Sequence, residues 1–247
     1  MTTSESPQLP GVRRPRPLHG LFNQVAPRYD LLNRFFTVGL DQRWRKRAAK
    51  LCTAAGMRRV LDLCCGTADL AILVARTATD VLEISAVDFS ETMIQAATKK
   101  VSAVGLSGKI DLMLADAAEL PFPDGHFDAV GVAFGFRNLT FANSNAESYL
   151  AEIRRVLSPG GRFVIVETSQ PRGAWLRIAF HTYMRCWVGP LGGLLSGRRA
   201  AYRYLAESAC RFPPPEGVAS QLWRAGFSRV ETTPLLGGVT GIHVAWR

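Results

Sequence analysis

Three aspartates that end or follow apolar segments are spaced so that they could share one binding site. Asp62 lies in the first apolar segment, Asp88 ends the second, 26 residues further on, and Asp116 follows the third. In a parallel sheet such positions meet at one edge, where carboxylates accept hydrogen bonds from ribose hydroxyls and from exocyclic amines such as that of adenine. For any one of them, a helix cap or a solvated turn is an equally good explanation. The three positions together favour a nucleoside site.

A turn of small residues follows Asp62 and leads into a helical segment. The turn covers residues 64–68, and Gly66 is its one glycine, whereas the usual dinucleotide fingerprint has three. Small residues let a ligand approach the backbone, and a helix N-terminus attracts anionic groups. Taken alone, the segment fits an ordinary strand-to-helix turn equally well, and it gains weight from the aspartates around it.

The order of apolar and helical segments indicates the architecture that must position these residues. From about Arg58 to Val166 wholly apolar segments alternate with helical ones, a pattern typical of a parallel sheet covered on both faces. Near the end, Phe227–Thr232 and Gly241–Trp246 read as two strands joined by a glycine-rich turn. We expect an α/β fold, namely a doubly wound and mostly parallel sheet with an antiparallel C-terminal hairpin. Helices before Arg58 are expected to cap it.

Composition and charge narrow the class of protein. The chain has 247 residues, of which 47% are hydrophobic and 20% charged, which excludes a disordered, collagen-like or coiled-coil chain. The net charge of +10 is unevenly distributed: residues 1–60 carry +9, residues 61–161 carry −6 and residues 162–247 carry +7. A basic excess of this size suggests nucleic acid or an anionic membrane surface as a partner.

The cysteines and the apolar segments bear on the compartment. The five cysteines are odd in number and two are adjacent, so they do not form a typical disulfide framework or a zinc motif. The sequence has no apolar run long enough to span a bilayer and no signal-peptide pattern. These features predict a reduced, cytoplasmic protein.

Motifs outside the aspartate positions make the sequence similar to a known family. The segments concerned are Phe22–Asn33 with Trp44, Leu120–Asp124, Phe134–Asn138, Arg155–Arg162, Glu167–Ser169, Tyr202–Ser208 and Ala225–Phe227. Together they resemble class I S-adenosylmethionine-dependent methyltransferases, and more narrowly the UbiE/MenG family of quinone-biosynthesis C-methyltransferases. The resemblance covers roughly residues 20–245. One departure is Asp41, which stands where the amino-terminal signature of the family usually has His.

The resemblance implies a fold, a cofactor and an acceptor. It implies a Rossmann-like, seven-stranded class I methyltransferase that uses S-adenosylmethionine and no metal ion. The implied acceptor is a polyprenylated hydroquinone, methylated on a ring carbon in menaquinone or ubiquinone synthesis. The expected cofactor-binding residues are Asp62, Gly66, Thr67, Asp88, Met93, Asp116 and Ala117. The expected catalytic residues are Arg137, Asn138 and Tyr29, and those expected to bind the acceptor are Asp30, Asn33 and Phe134.

The implied chemistry gives Arg137 and Asn138 their expected roles. A ring carbon is a poor nucleophile until a phenolic hydroxyl loses its proton. Arginine stays protonated at neutral pH, so Arg137 is expected to lower the pKa of the phenol or to hold the water that takes the proton. Asn138 is expected to orient the ring. The competing interpretation of Arg137 is a surface salt bridge.

The domain boundaries follow from the same motifs. Residues 1–17 are expected to form a loose basic arm, and residues 18–247 a single methyltransferase domain. Within that domain we expect a helical cap at 18–57, the cofactor-binding sheet at 58–170, and acceptor-side helices with the C-terminal hairpin at 171–247.

An apolar helical segment between Trp175 and Leu195 has two interpretations. Arg177, His181 and Arg185 recur at fourfold spacing, so the helix is amphipathic and does not span a membrane. One interpretation is a core helix or a homodimer interface. The other is a wall of a lipid-tail tunnel or a surface that faces anionic lipid on the inner face of the membrane.

Three other functions compete with the quinol methyltransferase. The same sheet could serve a methyltransferase that acts on another small-molecule or lipid acceptor. The basic charge raises a nucleic-acid-binding or RNA-modifying protein, but the sequence has no RNA module or base-flipping motif, and we expect no nucleic-acid partner. A non-catalytic binding module is the third.

Overall fold

Alternating strands and helices make up most of the described chain. The structure, a computed structural model, describes residues 29–54, 56–77 and 81–247. The strands are β1 (Arg59–Leu63), β2 (Glu83–Asp88), β3 (Asp111–Leu114), β4 (Phe127–Ala133), β5 (Leu157–Thr168), β6 (Arg229–Leu235) and β7 (Thr240–Trp246). The helices are α1 (Tyr29–Thr37), α2 (Leu40–Cys52), α3 (Asp69–Thr77), α4 (Glu91–Ala103), α5 (Phe136–Thr140), α6 (Ala146–Val156), α7 (Ala174–Tyr183), α8 (Gly189–Ser196), α9 (Arg199–Arg211) and α10 (Pro215–Arg224).

The strands form one mixed sheet in the order β3-β2-β1-β4-β5-β7-β6. Strands β1 to β5 pair in parallel, whereas β7 runs antiparallel to both β5 and β6. The predicted doubly wound, seven-stranded sheet with an antiparallel C-terminal hairpin is therefore confirmed. Strand order reverses at β1, which pairs with β2 on one side and β4 on the other. Such a reversal opens a crevice at the carboxyl ends of the strands.

Two apolar layers enclose the sheet because its strands are buried on both faces. In β1, Leu61 faces a layer completed by α6 and α10, with residues such as Ile153 and Leu222. Val60 faces the opposite layer, where α2 and α3 pack. Gly131 in β4 lets α3 approach closely, since a β-carbon there would lie 2.8 Å from the side chain of Leu70.

The cap and the acceptor-side helices form a third apolar cluster. Leu32 of α1 packs with Phe180 of α7 and with Ala206 of α9. A π-helical turn at Met184–Val188 joins α7 to α8, so the predicted helix between Trp175 and Leu195 is one rod with a π-turn. The predicted arm at residues 1–17 lies outside the described residues.

One predicted turn is part of a strand. The sequence predicts a turn at residues 158–161 before a strand at Arg162–Val166, but β5 already begins at Leu157. Phe127 pairs with Leu157, whereas Ala129 pairs with Arg162, so the intervening residues bulge out of the ladder. The glycines of the bulge allow it, since Gly160 has a φ of +77°.

Candidate active site

A cleft lies at the reversal of strand order, and all seven predicted cofactor residues line it. Asp62 comes from β1, Asp88 ends β2, and Asp116 follows β3. The other four are Gly66, Thr67, Met93 and Ala117. The structure therefore brings these residues together at the strand ends, as predicted, while their contact with a cofactor stays a prediction.

Burial makes two of the cleft carboxyls weak acids. Asp62 accepts a hydrogen bond from the backbone N–H of Ala71 (2.9 Å), and Asp88 accepts from those of Gly66 and Ser90 (2.9 Å each). Removal from water raises the pKa of Asp62 to about 7 and that of Asp88 to about 6, and it outweighs these hydrogen bonds. Both carboxyls thus brace the cleft backbone, as a capping role predicts, and also face the cleft.

Asp116 and Met93 are held by local turns. The Asp116 carboxylate accepts from the N–H of Ala118 (2.9 Å), an Asx-type turn. The N–H of Met93 donates to the hydroxyl of Ser90 (3.3 Å), which caps α4. These turns direct both side chains to the cleft without long-range contacts.

The loops that border the cleft hold unusual backbone conformations. Cys64, Ala68 and Phe134 have φ values of 53°, 64° and 63°, in the left-handed region that non-glycine residues rarely adopt. Gly135 fits against Cys64, because a β-carbon at position 135 would lie 2.7 Å from that of Cys64. Strain of this kind persists where the surroundings hold it, and it clusters at functional sites.

A second, apolar cavity of about 460 Å³ lies beside the cleft, within the range of about 300–1,000 Å³ typical of small-molecule sites. Its walls come from α1, α2, α7, the π-turn, α9 and the loop before β7. Aromatic and aliphatic side chains dominate, including Phe36, Trp44, Phe180, Tyr183 and Leu205. The predicted apolar helix therefore forms one wall of this cavity.

The cleft and the apolar cavity meet at three residues. Arg45, Phe134 and Asn138 line both. Within the described residues, the buried side-chain oxygen of Asn138 has no hydrogen-bond partner. An unpaired buried oxygen costs about 1–3 kcal/mol, so its place at the junction points to a bound ligand as its partner.

Arg137 is a buried cation on the wall of the apolar cavity. It is 3% exposed, which rules out the surface salt bridge considered from the sequence. Its guanidinium donates to Glu167 (3.3 Å) and to the hydroxyl of Thr168 (2.5 Å), and its backbone N–H donates to the other oxygen of Glu167 (3.0 Å). No partner for its Nε lies among the described residues.

The residues predicted to bind the acceptor separate into two places. Asn33 and Phe134 line the apolar cavity. Asp30 lines neither cavity. It accepts hydrogen bonds from Thr67 (2.7 Å) and from Lys100 (2.5 Å), which connect α1 to the turn at residues 64–68, here called the cofactor loop, and to α4. The predicted acceptor contact of Asp30 has no support in this geometry. The side chain of Tyr29 lies outside the described residues.

Arg45 lines both cavities although no motif predicts it, and Asp41, which the sequence shows only as a departure from the family signature, orients it. Arg45 donates to Asp41 (2.5 Å), which also accepts from Thr37 (3.0 Å) and Gln42 (3.1 Å). The guanidinium of Arg45 lies 5.0 Å from the centre of the Phe134 ring. A signal was present, since opposite charges four residues apart on a helix face each other.

The strand order and the cleft at its reversal define the class I methyltransferase fold. Similarity to known proteins leads to the family. A model of the ubiE/COQ5 methyltransferase family matches residues 11–247, so this chain belongs to that family of S-adenosylmethionine-dependent enzymes.

Individual relatives agree with this assignment. The chain is 44% identical over 92% of its length to the whole of a protein named demethylmenaquinone methyltransferase from Thermus thermophilus. It is 35% identical over 90% of its length to 86% of a protein named ubiquinone/menaquinone biosynthesis C-methyltransferase UbiE from Pseudomonas fluorescens. Among solved structures, a putative S-adenosylmethionine-dependent methyltransferase from Methanococcus maripaludis shares the fold, with a TM-score of 0.60, 17% identity, and coverage of 99% and 96% of the two chains.

The cleft fits S-adenosylmethionine chemically. Its carboxyls can accept hydrogen bonds from ribose hydroxyls and from amines. The unpaired oxygen of Asn138 can accept a further hydrogen bond where the cleft meets the apolar cavity. Across the described ranges, no group of three or more His, Cys, Asp and Glu side chains is arranged to hold a metal ion. In the same ranges, no helix has both the length and the apolar character that crossing a bilayer requires.

Proposed function

We propose that this protein transfers the methyl group of S-adenosylmethionine to a ring carbon of a polyprenylated hydroquinone, demethylmenaquinol or its benzoquinol equivalent. The observation that carries the proposal is the junction of an acidic cleft with a large apolar cavity at Phe134 and Asn138. The cleft suits a nucleoside with cationic groups, and the cavity suits a ring with an isoprenoid tail. The names of the two relatives support the same acceptor class.

On the cofactor side, six of the seven predicted cofactor residues have a proposed task. Asp88 accepts from the ribose hydroxyls, and Asp116 accepts from the adenine amine with Ala117 against the ring. Gly66 and Thr67 let the backbone approach the ligand, while Met93 packs against it. The bound cofactor supplies an electrophilic methyl group on a positively charged sulfur, so the remaining tasks are positioning and exclusion of water.

On the acceptor side, Arg137 activates the ring. Glu167 and Thr168 hold its guanidinium at the cavity wall, where its charge lowers the pKa of a phenol oxygen placed against it. With the cofactor bound, the phenol would lose its proton to water, and a ring carbon would form a bond with the methyl carbon as the sulfur–methyl bond breaks. The ring carbon would then lose its hydrogen to water as a proton, and the oxygen would regain a proton from water on release, so that one proton is released in total. Asn138 orients the ring, with Asn33 and Phe134 beside it.

Methyl transfer from labelled cofactor to reduced demethylmenaquinone tests the proposal directly. We expect a labelled, methylated quinone to form. If neither naphthoquinols nor benzoquinols were methylated, the assignment of the acceptor would be wrong. A different small-molecule or lipid acceptor would then be sought with the same cofactor.

Variants of Arg137 test its role, with a control for folding. Arg137→Ala leaves Glu167 buried and unpaired, which costs about 3–5 kcal/mol of stability. A loss of activity in that variant could therefore come from unfolding and would not identify a catalytic role. The double variant Arg137→Met with Glu167→Gln removes both charges. We expect it to fold and bind cofactor yet lose at least about 100-fold in kcat, in the range of lost electrostatic stabilisation. Arg154→Met changes an exposed arginine and should leave kcat intact. Full activity in the double variant would remove Arg137 from the mechanism.

The same helical rod that walls the apolar cavity also carries an exposed apolar face. Trp175, Ile178, Trp187 and Leu194 are 86%, 57%, 62% and 67% exposed. An adjacent groove is lined by Arg185, Arg199 and Arg203. We propose that this face lies on an anionic membrane, with each nearby arginine adding about 1 kcal/mol. The protein would then be cytoplasmic and peripheral to the inner face of the membrane.

Vesicle sedimentation tests the membrane face. Binding to phosphatidylglycerol vesicles is expected to fall at high salt and to disappear in a Trp175→Ser, Trp187→Ser double variant. Trp223→Ser is the matched control, because Trp223 is 51% exposed on α10 and lies outside this face. Equal loss in the control would contradict the membrane proposal, and so would a homodimer in light scattering that becomes monomeric in Trp187→Ser.

The proposed domain layout has one catalytic domain. Residues 18–247 act as a single methyltransferase domain behind the basic arm at 1–17, with the cap at 18–57, the cofactor sheet at 58–170 and the acceptor side at 171–247. A protein that begins at residue 18 should therefore retain cofactor binding, and its loss would contradict this layout.

A further inference from the structure

We infer that Arg45 binds the carboxylate of the methionine portion of S-adenosylmethionine, with Asp41 as the residue that positions it. The inference rests on the proposed use of this cofactor and adds a residue that neither the sequence motifs nor the comparisons assign. Arg45 lies on α2 of the cap and is 5% exposed, yet it lines the cofactor cleft.

Charge complementarity carries the inference. The described residues that line the cleft include four carboxyls, those of Asp62, Asp69, Asp88 and Asp116, and Arg45 is their one Lys or Arg. The cofactor carries one anionic group, its carboxylate, alongside a sulfonium and an amine. Aspartates suit the cationic and hydroxyl groups but repel a carboxylate, and a buried anion requires a paired cation.

Contacts show that the guanidinium of Arg45 is already oriented. Its Nη1 donates a hydrogen bond to the carboxylate of Asp41 (2.5 Å), and that carboxylate also accepts hydrogen bonds from Thr37 and Gln42. Phe134 lies against the cation at 5.0 Å. In the described part of the chain, Asp41 is the one acceptor that Arg45 meets, so the other guanidinium N–H groups remain for a ligand. A planar guanidinium presents paired donors that match a carboxylate.

The position of Arg45 also favours the cofactor over the acceptor. Its charge reaches Asp62 and Asp69 at the amino end of α3, where it lowers the pKa of each carboxyl against the effect of burial. The apolar cavity has its own buried cation in Arg137, held by Glu167. The two arginines therefore serve opposite sides of the junction.

A cofactor analogue tests the inference without any acceptor. Decarboxylated S-adenosylmethionine keeps the adenosine, the sulfonium and the amine but lacks the carboxylate. By calorimetry, we expect the unmodified protein to bind S-adenosylmethionine about 10- to 100-fold more tightly than this analogue, the range of a charge-assisted hydrogen-bonded pair. Equal affinity for the two ligands would overturn the inference. Because no quinol is present, this outcome is independent of the acceptor assay.

Substitution of Arg45 completes the cycle. In Arg45→Met the preference for S-adenosylmethionine over the analogue should fall to about onefold, while the affinity for the analogue stays close to that of the unmodified protein. Arg45→Lys should keep part of the preference, and Asp41→Asn should reduce it. Arg47→Met, an exposed arginine of the same helix, should retain the full preference.

Two results would contradict a carboxylate contact. If Arg45→Met weakened both ligands equally, the residue would serve the fold of the cap alone. If it left both affinities unchanged and slowed methyl transfer with an alkaline shift of the pH profile, Arg45 would serve the acceptor. Arg45→Lys and the measurement on the unmodified protein keep the test open if Arg45→Met does not fold.

Discussion

Burial shifts the titration of two cleft carboxyls toward neutral pH, so each is still partly protonated there. Asp62 and Asp88 have pKa values of about 7 and about 6, against an ordinary value of 3.8. A cationic ligand stabilises the ionised forms, so its binding drives protons off these groups. The affinity of the cleft is therefore linked to pH through two identified side chains.

We predict that the affinity for S-adenosylmethionine rises by roughly 10- to 100-fold between about pH 5.5 and 8, because binding releases protons from Asp62 and Asp88. Calorimetry in buffers of different ionisation enthalpy measures the released protons. Asp62→Asn should flatten the rise, and Glu147→Gln, an exposed carboxyl on α6, should not. An affinity that falls with pH would contradict the prediction.

The ligand-free protein should respond to pH in the opposite sense. The folded state holds protons on Asp62 and Asp88 that the unfolded chain releases near pH 4. The free energy of unfolding contributed by these groups therefore falls as pH rises from about 4 to about 7. Saturation with cofactor should abolish this loss, a contrast that thermal unfolding measures.

Residue types and spacing predicted the cofactor side better than the acceptor side. Asp62, Asp88 and Asp116 were predicted to share a cleft because strand ends in a parallel sheet must meet. Asp30 lines neither cavity and pairs with Lys100, 70 residues away, an ion pair that no local pattern reveals, so its predicted acceptor contact stays a prediction. Arg45 was missed because its role depends on how the cap docks.

At the scale of elements, the wall of the apolar cavity depends on one close helix contact. Gly192 of α8 lies against Tyr202 of α9, and a β-carbon at position 192 would lie 2.1 Å from the Tyr202 ring. The ring is buried and lines the cavity, so a β-carbon at position 192 would push it into the cavity or push the two helices apart. The spacing of α8 and α9 therefore requires glycine at this position.

We predict that Gly192→Ala lowers the free energy of unfolding by about 1–3 kcal/mol, although alanine is the better helix former. Denaturant unfolding provides the measurement. Gly108→Ala is the control, because nothing lies within 4 Å of a β-carbon at that position. A neutral or stabilising Gly192→Ala would show that α8 and α9 can separate at no cost.

Element types followed from periodicity, but irregularities within elements did not. The helical segment predicted after the turn at residues 64–68 is present as α3, because its apolar face and its ends are local signals. The sequence predicts a turn at residues 158–161, where the structure has a bulge. Glycines favour a turn and a bulge equally, and only the pairing with β4 distinguishes the two. The π-turn at Met184–Val188 packs against α9 and has no clear local signal.

At the scale of the whole molecule, the cap is bonded to the cofactor loop. Lys100 of α4 donates to Asp30 of the cap and to Asp69 at the start of α3 (2.5 Å each). Gln42 of α2 also donates to Asp69 (3.0 Å). We therefore expect cofactor binding and docking of the cap to be coupled, and such coupling is reciprocal.

We predict that Lys100→Met weakens binding of both cofactor and acceptor, each by about 5-fold or more, because it unties α1 from the loop that contains Thr67. Equilibrium binding of each ligand, alone and with the other present, measures the coupling. Lys99→Met removes an exposed neighbouring charge and should change neither affinity. Coupling that survives in Lys100→Met would show that the ion pair does not carry it.

The rod formed by α7, the π-turn and α8 has one face on the apolar cavity and the other face exposed. Leu176 and Tyr183 line the cavity, while Trp175 and Trp187 point away from it. On a membrane, an isoprenoid tail would cross about 10 Å, the width of one helix, to pass from lipid into the cavity. Methylene groups then exchange one apolar surrounding for another, so tail length adds little to the free energy of capture. Turnover should accordingly follow the mole fraction of quinol within the bilayer, with surface-dilution kinetics, and not its total concentration in the suspension.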